Sequence, residues 1–415
     1  MNPQTSFPKD KIKVLLLGGI HPAAEAFFRD QGFSAVDSRR GEMTEDELCE
    51  AISSVHILGI RSGTEVTARV LDRATKLLTV GCFCIGTNQV DLKAARRKGV
   101  PVFNAPFANT RSVAELVIAE AVMLMRGIPA KNAAAHLGQW QKSAAGSFEA
   151  RGKTMGIVGY GHIGTQVGIL AEALGMRVLY HDIESKLVLG NAQPVKSLDA
   201  LLKLADVITL HVPGGSSTKH LIGRKELAVM KNGACLINAS RGQVIDVDAL
   251  AAAIHAGHIA GAALDVHPEE PVSSKLPFHS PLQGLTNVIL TPHIAGSTAE
   301  AQERIGRDVA EKLLLFCDTG ATAGAVNFLP VALPSHAGRH RILHIHENRP
   351  GVLAAVNEVF AKASVNIASQ FLETDADIGY VVTDVDEKKG IGLKSAGFFQ
   401  QLDKIPGTIR TRVLY

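Results

Sequence analysis

The chain has 415 residues, 46% of them hydrophobic and 20% charged, which exceeds what one hydrophobic core usually serves, so two or three globular domains are expected. Its formal net charge of +3 comes without a long Lys/Arg run. That excludes wholesale nucleic-acid or membrane-surface binding and leaves a local positive field aimed at a small anion.

Five cysteines stand at 49, 82, 84, 235 and 317. Their spacing suits no metal site, and an odd number argues against a disulfide framework, so reduced packing residues and no bound metal are expected. The first thirteen residues are polar and proline-interrupted, without the apolar stretch of a secretory signal. The apolar run 114–125 carries Glu115 and Glu120, too short and too charged to cross a bilayer. A cytoplasmic location follows as an expectation.

In chain order, residues 13–18 (KVLLLG) read as a short buried parallel strand, 45–53 as a helix and 56–60 (HILGI) as the next strand. Two further strands, 77–80 and 102–104, flank a helix at 92–98. Short strands alternating with helices imply crossover units and a parallel sheet. A long apolar helix spans 112–126. Beyond the Gly/Ser/Ala-rich stretch 144–152, six strands at 154–158, 177–180, 207–211, 235–238, 262–265 and 288–290 match a second doubly wound sheet. A helix is expected over 299–318. Residues 319–339 lack periodicity and read as connecting chain, with 331–338 as the linker proper. The tail then offers a strand at 341–346, a helix at 351–361, strands at 366–373 and 379–385, and a glycine-interrupted helix at 388–397. That is a ferredoxin-like β-α-β-β-α-β arrangement. The expected fold is α/β, with two Rossmann-like doubly wound domains followed by a small α+β domain at 339–415.

The sharpest local signal is Gly159-Tyr160-Gly161-His162-Ile163-Gly164, between a strand and a helix. Gly159 permits the turn, Gly161 lets backbone approach a pyrophosphate, and Gly164 allows close helix–strand packing. Asp182, ending the next strand at the expected offset, can accept hydrogen bonds from both ribose hydroxyls and would repel the extra phosphate of NADP; the expected cofactor is NAD. His211-Val212-Pro213 turns at a strand end bordering the cofactor crevice, and reads either as a cofactor contact or as structural punctuation.

Three polar groups stand at strand ends of the same domain. Arg241 lies in Asn238-Ala239-Ser240-Arg241-Gly242, Glu270 in Asp265-Val266-His267-Pro268-Glu269-Glu270-Pro271, and His293 in Thr291-Pro292-His293-Ile294-Ala295-Gly296. A guanidinium can hold a carboxylate bidentately. An imidazole can take a hydroxyl proton while hydride leaves. A carboxylate on the other ring nitrogen fixes the tautomer. Each residue alone has a dull explanation as an ion-pair member or solvated loop residue; their joint placement favours the catalytic reading.

Together these motifs resemble the D-2-hydroxyacid dehydrogenase family. Gly81-Cys82-Phe83-Cys84-Ile85-Gly86-Thr87-Asn88-Gln89-Val90-Asp91 and the stretch 104–115 (NAPFANTRSVAE) narrow the resemblance to its bacterial branch that acts on 3-phosphoglycerate. It runs from about residue 11 to 415. The resemblance implies Arg241 as carboxylate binder, Glu270–His293 as proton relay, and Ala239, Asp265 and Gly296 as further cofactor contacts. It implies a discontinuous substrate domain, 1–108 joined by 297–330, around a nucleotide domain at 109–296, and a homotetramer. It assigns the distal phosphate to Arg61, Arg40, Asn109 and Lys142, the last reaching in from a neighbouring subunit; Arg40 and Lys142 also read as solvated surface charges.

Two departures stand out. The family's Arg-Ser-Arg appears here as Arg61-Ser62-Gly63. One guanidinium fewer costs about 1–3 kcal/mol of charge-assisted hydrogen bonding. Either the phosphate site is weaker or rearranged, which is preferred, or preference shifts toward dicarboxylates such as 2-hydroxyglutarate. The family's Gly-Gly hinges appear as Ala295-Gly296 and Ala337-Gly338, which predicts damped domain rotation. The tail's Ile345-His346-Glu347-Asn348-Arg349-Pro350-Gly351 resembles the start of an ACT domain. That implies serine bound by His346, Asn348 and Asn366 between paired tails; the alternative is that these are ordinary strand-end and cap residues supporting oligomerisation.

Overall fold

A computed structural model describes residues 8–271, 276–334, 336, 339–386 and 398–414. Contacts divide the chain into two compact units: one is the chain up to Ala108 together with Gln302–Tyr415, the other Asn109–Ala301.

The first unit begins with five parallel strands: β1 (Val14–Leu16), β2 (Val36–Ser38), β3 (Ile57–Ile60), β4 (Thr79–Cys82) and β5 (Val102–Asn104), in the order β2-β1-β3-β4-β5. Both faces of this sheet are covered, and alternation sorts the side chains between them. Leu15, Leu58 and Val80 point into one apolar cluster. Val14, Leu16 and Ile57 point into another, with Ile305, Val309, Leu313 and Phe316 of a long helix, Ala299–Thr319. Burial on both sides is why these strands read as unbroken apolar runs. β2 was not legible for the opposite reason, since only Val36 of its three residues is buried. The helix α1 (Pro22–Asp30) was also missed. Its start is set by Pro22 and by the His21 ring accepting from Ala23 N–H rather than by a Ser/Thr/Asp cap.

The tail in the same unit is an antiparallel sheet of Arg339–Glu347, Ile367–Thr374, Ile378–Asp386 and Thr408–Leu414, the first strand lying between the third and fourth. Two helices, Val352–Lys362 and Phe398–Asp403, pack with it around Ile342, Val356, Phe360 and Val381. The expected helix at 388–397 lies outside the described residues, as do Ala337 and Gly338. The stretch after the long helix is not a loose tether. Thr322 donates to Leu329 O and accepts from Val331 N–H, and Phe328, Leu329 and Val331 pack with Leu343, Ile345 and Tyr380. Side-chain hydrogen bonds order it without any periodicity to announce it.

The second unit holds seven parallel strands: β6 (Thr154–Val158), β7 (Arg177–His181), β8 (Gln193–Pro194), β9 (Val207–Leu210), β10 (Ala234–Asn238), β11 (Ile259–Leu264) and β12 (Val288–Leu290), ordered β12-β11-β10-β9-β6-β7-β8. Six match the strands read from sequence; β8, two residues long, is too short to leave a pattern. The order reverses at β9–β6, and ligands of such sheets lie beyond the carboxyl ends of the strands there. Among the described residues no helix is long and apolar enough to cross a membrane, no cluster could hold a metal ion, and all five cysteines are free.

Candidate active site

The turn after β6 is built as the glycine pattern requires. Gly159 has φ +90°, and a Cβ there would collide with the His211 carbonyl, just as one at Gly164 would collide with the Gly159 carbonyl. Nothing lies within 4 Å of a Cβ placed on Gly161, so space over the loop is open. The helix His162–Ala173, which contains Ile163, begins there without a side-chain cap, the geometry that presents a helix N-terminus to an anion. Asp182 is fixed beside this loop: one oxygen accepts from Tyr160 N–H at 2.8 Å and the other from Glu184 N–H at 2.9 Å. The carboxylate keeps lone pairs for ribose hydroxyls. These features fit NAD. The His211–Pro213 turn comes onto the same loop, since a methyl of Val212 would lie 3.1 Å from a Gly159 Cβ. His211 bonds Thr209 Oγ1 through Nε2 at 2.9 Å, and burial pushes its imidazole down to about 3, so the ring is neutral.

The pair expected to handle the proton is brought together. His293 Nδ1 lies 2.8 Å from a Glu270 carboxylate oxygen, and the other Glu270 oxygen accepts from His267 N–H at 3.0 Å. Burial works against the charged Glu270 carboxylate, but the bonds from His293 and His267 outweigh it and its pKa falls. The bond to Glu270 raises the His293 pKa against burial and against the positive field of Arg241, which is thus within electrostatic reach. With Nδ1–H donating to Glu270, Nε2 is the ring nitrogen left for a substrate proton. Arg241 leaves β10 after Ala239 and Ser240, with Nη1 donating to Ser240 O at 2.7 Å. The Asn238 side chain ties the turn by donating to Arg241 O and accepting from Ser240 N–H.

Two supporting residues carry more than their motif positions suggested. Asp265 is buried, and its carboxylate accepts from Thr291 Oγ1 (2.6 Å), Ile294 N–H (2.8 Å) and Ala295 N–H (2.8 Å). It therefore clamps the loop on which His293 sits at φ +56°, a left-handed conformation that a non-glycine residue holds only when its surroundings enforce it. His267 adds a second tie, Nε2 to Thr291 O at 3.0 Å. The signal for both lay in the Asp265–His267 run, but their partners are 24 to 30 residues away.

The residues expected at the distal anion fall into both units. Arg61 follows β3 and Arg40 follows β2 in the first unit. Asn109 and Lys142 belong to the second, where Asn109 is buried beside Gly296 and Lys142 is exposed. In the tail, His346 is buried with Nδ1 2.8 Å from Glu347 O, Asn348 donates to Asp375 O at 2.5 Å, and Asn366 is exposed just before the strand Ile367–Thr374. Asp375 also pairs with Arg96 of the helix Leu92–Arg97.

Comparison with known proteins identifies relatives of the chain. Residues 118–295 match the D-isomer specific 2-hydroxyacid dehydrogenase, NAD binding domain family, and residues 342–410 match an AHAS small subunit-like ACT domain. The chain is 55% identical over 412 residues to the D-3-phosphoglycerate dehydrogenase of Escherichia coli (strain K12), covering 99% of this chain and all of the relative. It is 54% identical to that of Haemophilus influenzae over the full length of both. Among solved structures, a D-lactate dehydrogenase from Aquifex aeolicus complexed with NAD and lactic acid is 26% identical, with a TM-score of 0.64 over 73% of this chain and 95% of that one.

Proposed function

This chain belongs to the D-isomer specific 2-hydroxyacid dehydrogenase family, in its D-3-phosphoglycerate dehydrogenase branch, and from that membership we propose that it oxidises 3-phospho-D-glycerate to 3-phosphohydroxypyruvate. The observation that carries the chemistry is the 2.8 Å His293–Glu270 pair on the strand edge that also bears Arg241 and the nucleotide loop. NAD, held by the Gly159–Gly164 loop, Asp182 and the 211–213 turn, supplies the hydride acceptor when bound. Arg241 holds the substrate carboxylate through paired N–H donors. His293 Nε2 takes the proton of the C2 hydroxyl as the C2–H bond breaks, and Glu270 stabilises the resulting imidazolium. Arg61 and Arg40, with Asn109 and Lys142, receive the distal phosphate.

The wider assignment follows from the same membership. The proposal extends to a place at the entry to serine synthesis, a cytoplasmic location and assembly as a homotetramer. Serine binds at His346, Asn348 and Asn366 of paired tails and inhibits, with cooperativity damped by Ala295 and Ala337. The substrate domain is 1–108 with 297–330, the nucleotide domain 109–296, and the regulatory domain 339–415. Gly63 favours a second activity, reduction of 2-oxoglutarate to 2-hydroxyglutarate, because a missing guanidinium penalises phosphate more than carboxylate.

NADH formation by the purified protein tests this, with 3-phosphoglycerate and D-2-hydroxyglutarate compared side by side and serine then titrated. Preference for phosphoglycerate and falling activity with serine are expected. Oxidation of hydroxyglutarate alone would reject the substrate assignment, and a flat serine curve would reject the regulatory one.

A further inference from the structure

The parallel sheet of the first unit reverses its strand order between β1 and β3, and a doubly wound sheet binds its ligand beyond the carboxyl ends of its strands at such a point. Three loops leave that edge. Gly18 follows β1 and Arg61 follows β3, and they are in contact: a Cβ on Gly18 would lie 3.4 Å from Arg61 Cβ. The loop after β2 is tied to the same place, since Gly18 N–H donates to Gly41 O at 3.1 Å and Gly19 N–H to Arg39 O at 3.2 Å. That brings Arg40 and Glu42 to the edge beside Arg61. Arg39 is paired with Asp37, whereas Arg40 and Arg61 make no ion pair among the described residues. Glu42 crosses to the loop after β3, where its carboxylate fills the place that a Cβ on Gly63 would take. An acidic side chain thus occupies the room left by a residue without one, two positions from Arg61.

We propose that Glu42 is a specificity-determining residue of this edge, setting how much negative charge the distal group of the substrate can carry. The inference rests on reading Arg61 and Arg40 as the distal-anion site. Of the first unit's own charges at this edge, two guanidiniums and one carboxylate leave a single net positive charge, one less than the guanidiniums alone would give. A monoanionic distal group, a carboxylate or a singly ionised phosphate, matches that charge. A phosphate dianion exceeds it and meets the full repulsion of Glu42, so the site discriminates by a like-charge contact as well as by attraction.

Steady-state kinetics of the full-length protein and its Glu42→Gln variant test the idea at about pH 5.5 and about pH 8, either side of the second phosphate ionisation at about 6. With saturating NAD, E42Q lowers KM for 3-phosphoglycerate about ten-fold at the higher pH, the size expected for removing one screened charge from a dianion, and leaves kcat nearly unchanged. The gain shrinks at the lower pH, and KM for D-2-hydroxyglutarate falls less. An unchanged ratio of the two KM values at the higher pH overturns the proposal. If 3-phosphoglycerate is not oxidised at all, the substrate assignment fails. Glu42 is then judged by the inhibition constant of 3-phosphoglycerate against D-2-hydroxyglutarate oxidation: tightening in E42Q supports its role, and no change refutes it.

Discussion

His293 holds a positive φ on a loop that three hydrogen bonds from Asp265 keep in place, with its ring anchored to Glu270. Oxidation needs the neutral ring, and the Glu270 bond raises its pKa. Activity should therefore rise with pH through a midpoint above that of an ordinary histidine. Glu270→Gln removes the negative charge, so the midpoint moves to lower pH while kcat falls about 10²-fold or more; a pH–kcat profile with an unmoved midpoint would count against the relay. His293→Ala should cost about 10²–10⁴ in kcat and leave NAD affinity, measured by fluorescence titration, close to that of the parent. The residues proposed to touch ligand were legible as candidates because their motifs are local stretches of chain ending a strand. The clamp by Asp265 was not, because its three acceptor contacts reach 26 to 30 residues along the sequence.

Among the elements, the helix Thr110–Met125 has one feature with a measurable consequence. Glu120, which the sequence shows as a charge interrupting an apolar run, is 2% exposed, and neither carboxylate oxygen has a hydrogen-bond partner among the described residues. It sits on a helix that buries Val117, Ala121 and Leu124 in the core of the second unit. Burial first, and the negative charge of Asp265 second, push its carboxyl up to about 8. The unfolded chain would ionise it near 4.5. Protonation therefore stabilises the fold fully below that value, and the benefit is lost as pH rises toward 8. A tenfold change in an ionisation constant corresponds to about 1.4 kcal/mol, so the loss is a few kcal/mol. Thermal melts from acidic to mildly alkaline pH should show stability declining, and Glu120→Gln should flatten the decline; parallel curves for the two proteins would rule out this ionisation as its source. The same helix shows why element type was easier to read than burial of one residue. Sixteen residues of apolar periodicity announce a helix, whereas the fate of one glutamate depends on what packs over it.

At the scale of the whole molecule, the tail's sheet holds a buried ion pair whose arginine also ties it to the chain that leads into it. Arg341 is 0% exposed and bonds both oxygens of Asp384 at 2.6 and 2.8 Å, while Nη1 donates to Thr319 O and Pro334 O. Asp384→Asn leaves a buried guanidinium unbalanced and should destabilise the tail by about 3–5 kcal/mol, seen as an earlier melting transition. Replacing the pair with Met and Leu should cost much less. Equal losses from both changes would mean that packing, not charge balance, holds the tail. Local rules were enough to determine the class of each region from sequence: two parallel α/β sheets, because strands buried on both faces must be apolar throughout and separated by helices, and a nucleotide turn, because only glycine tolerates that backbone. Tertiary structure alone decided the strand orders, the packed course of 319–334, the burial of Glu120, and the meeting of Glu42 with Gly63. Each of these depends on residues distant in the chain being brought into contact, and nothing in the spacing of a sequence encodes which distant residue will be there.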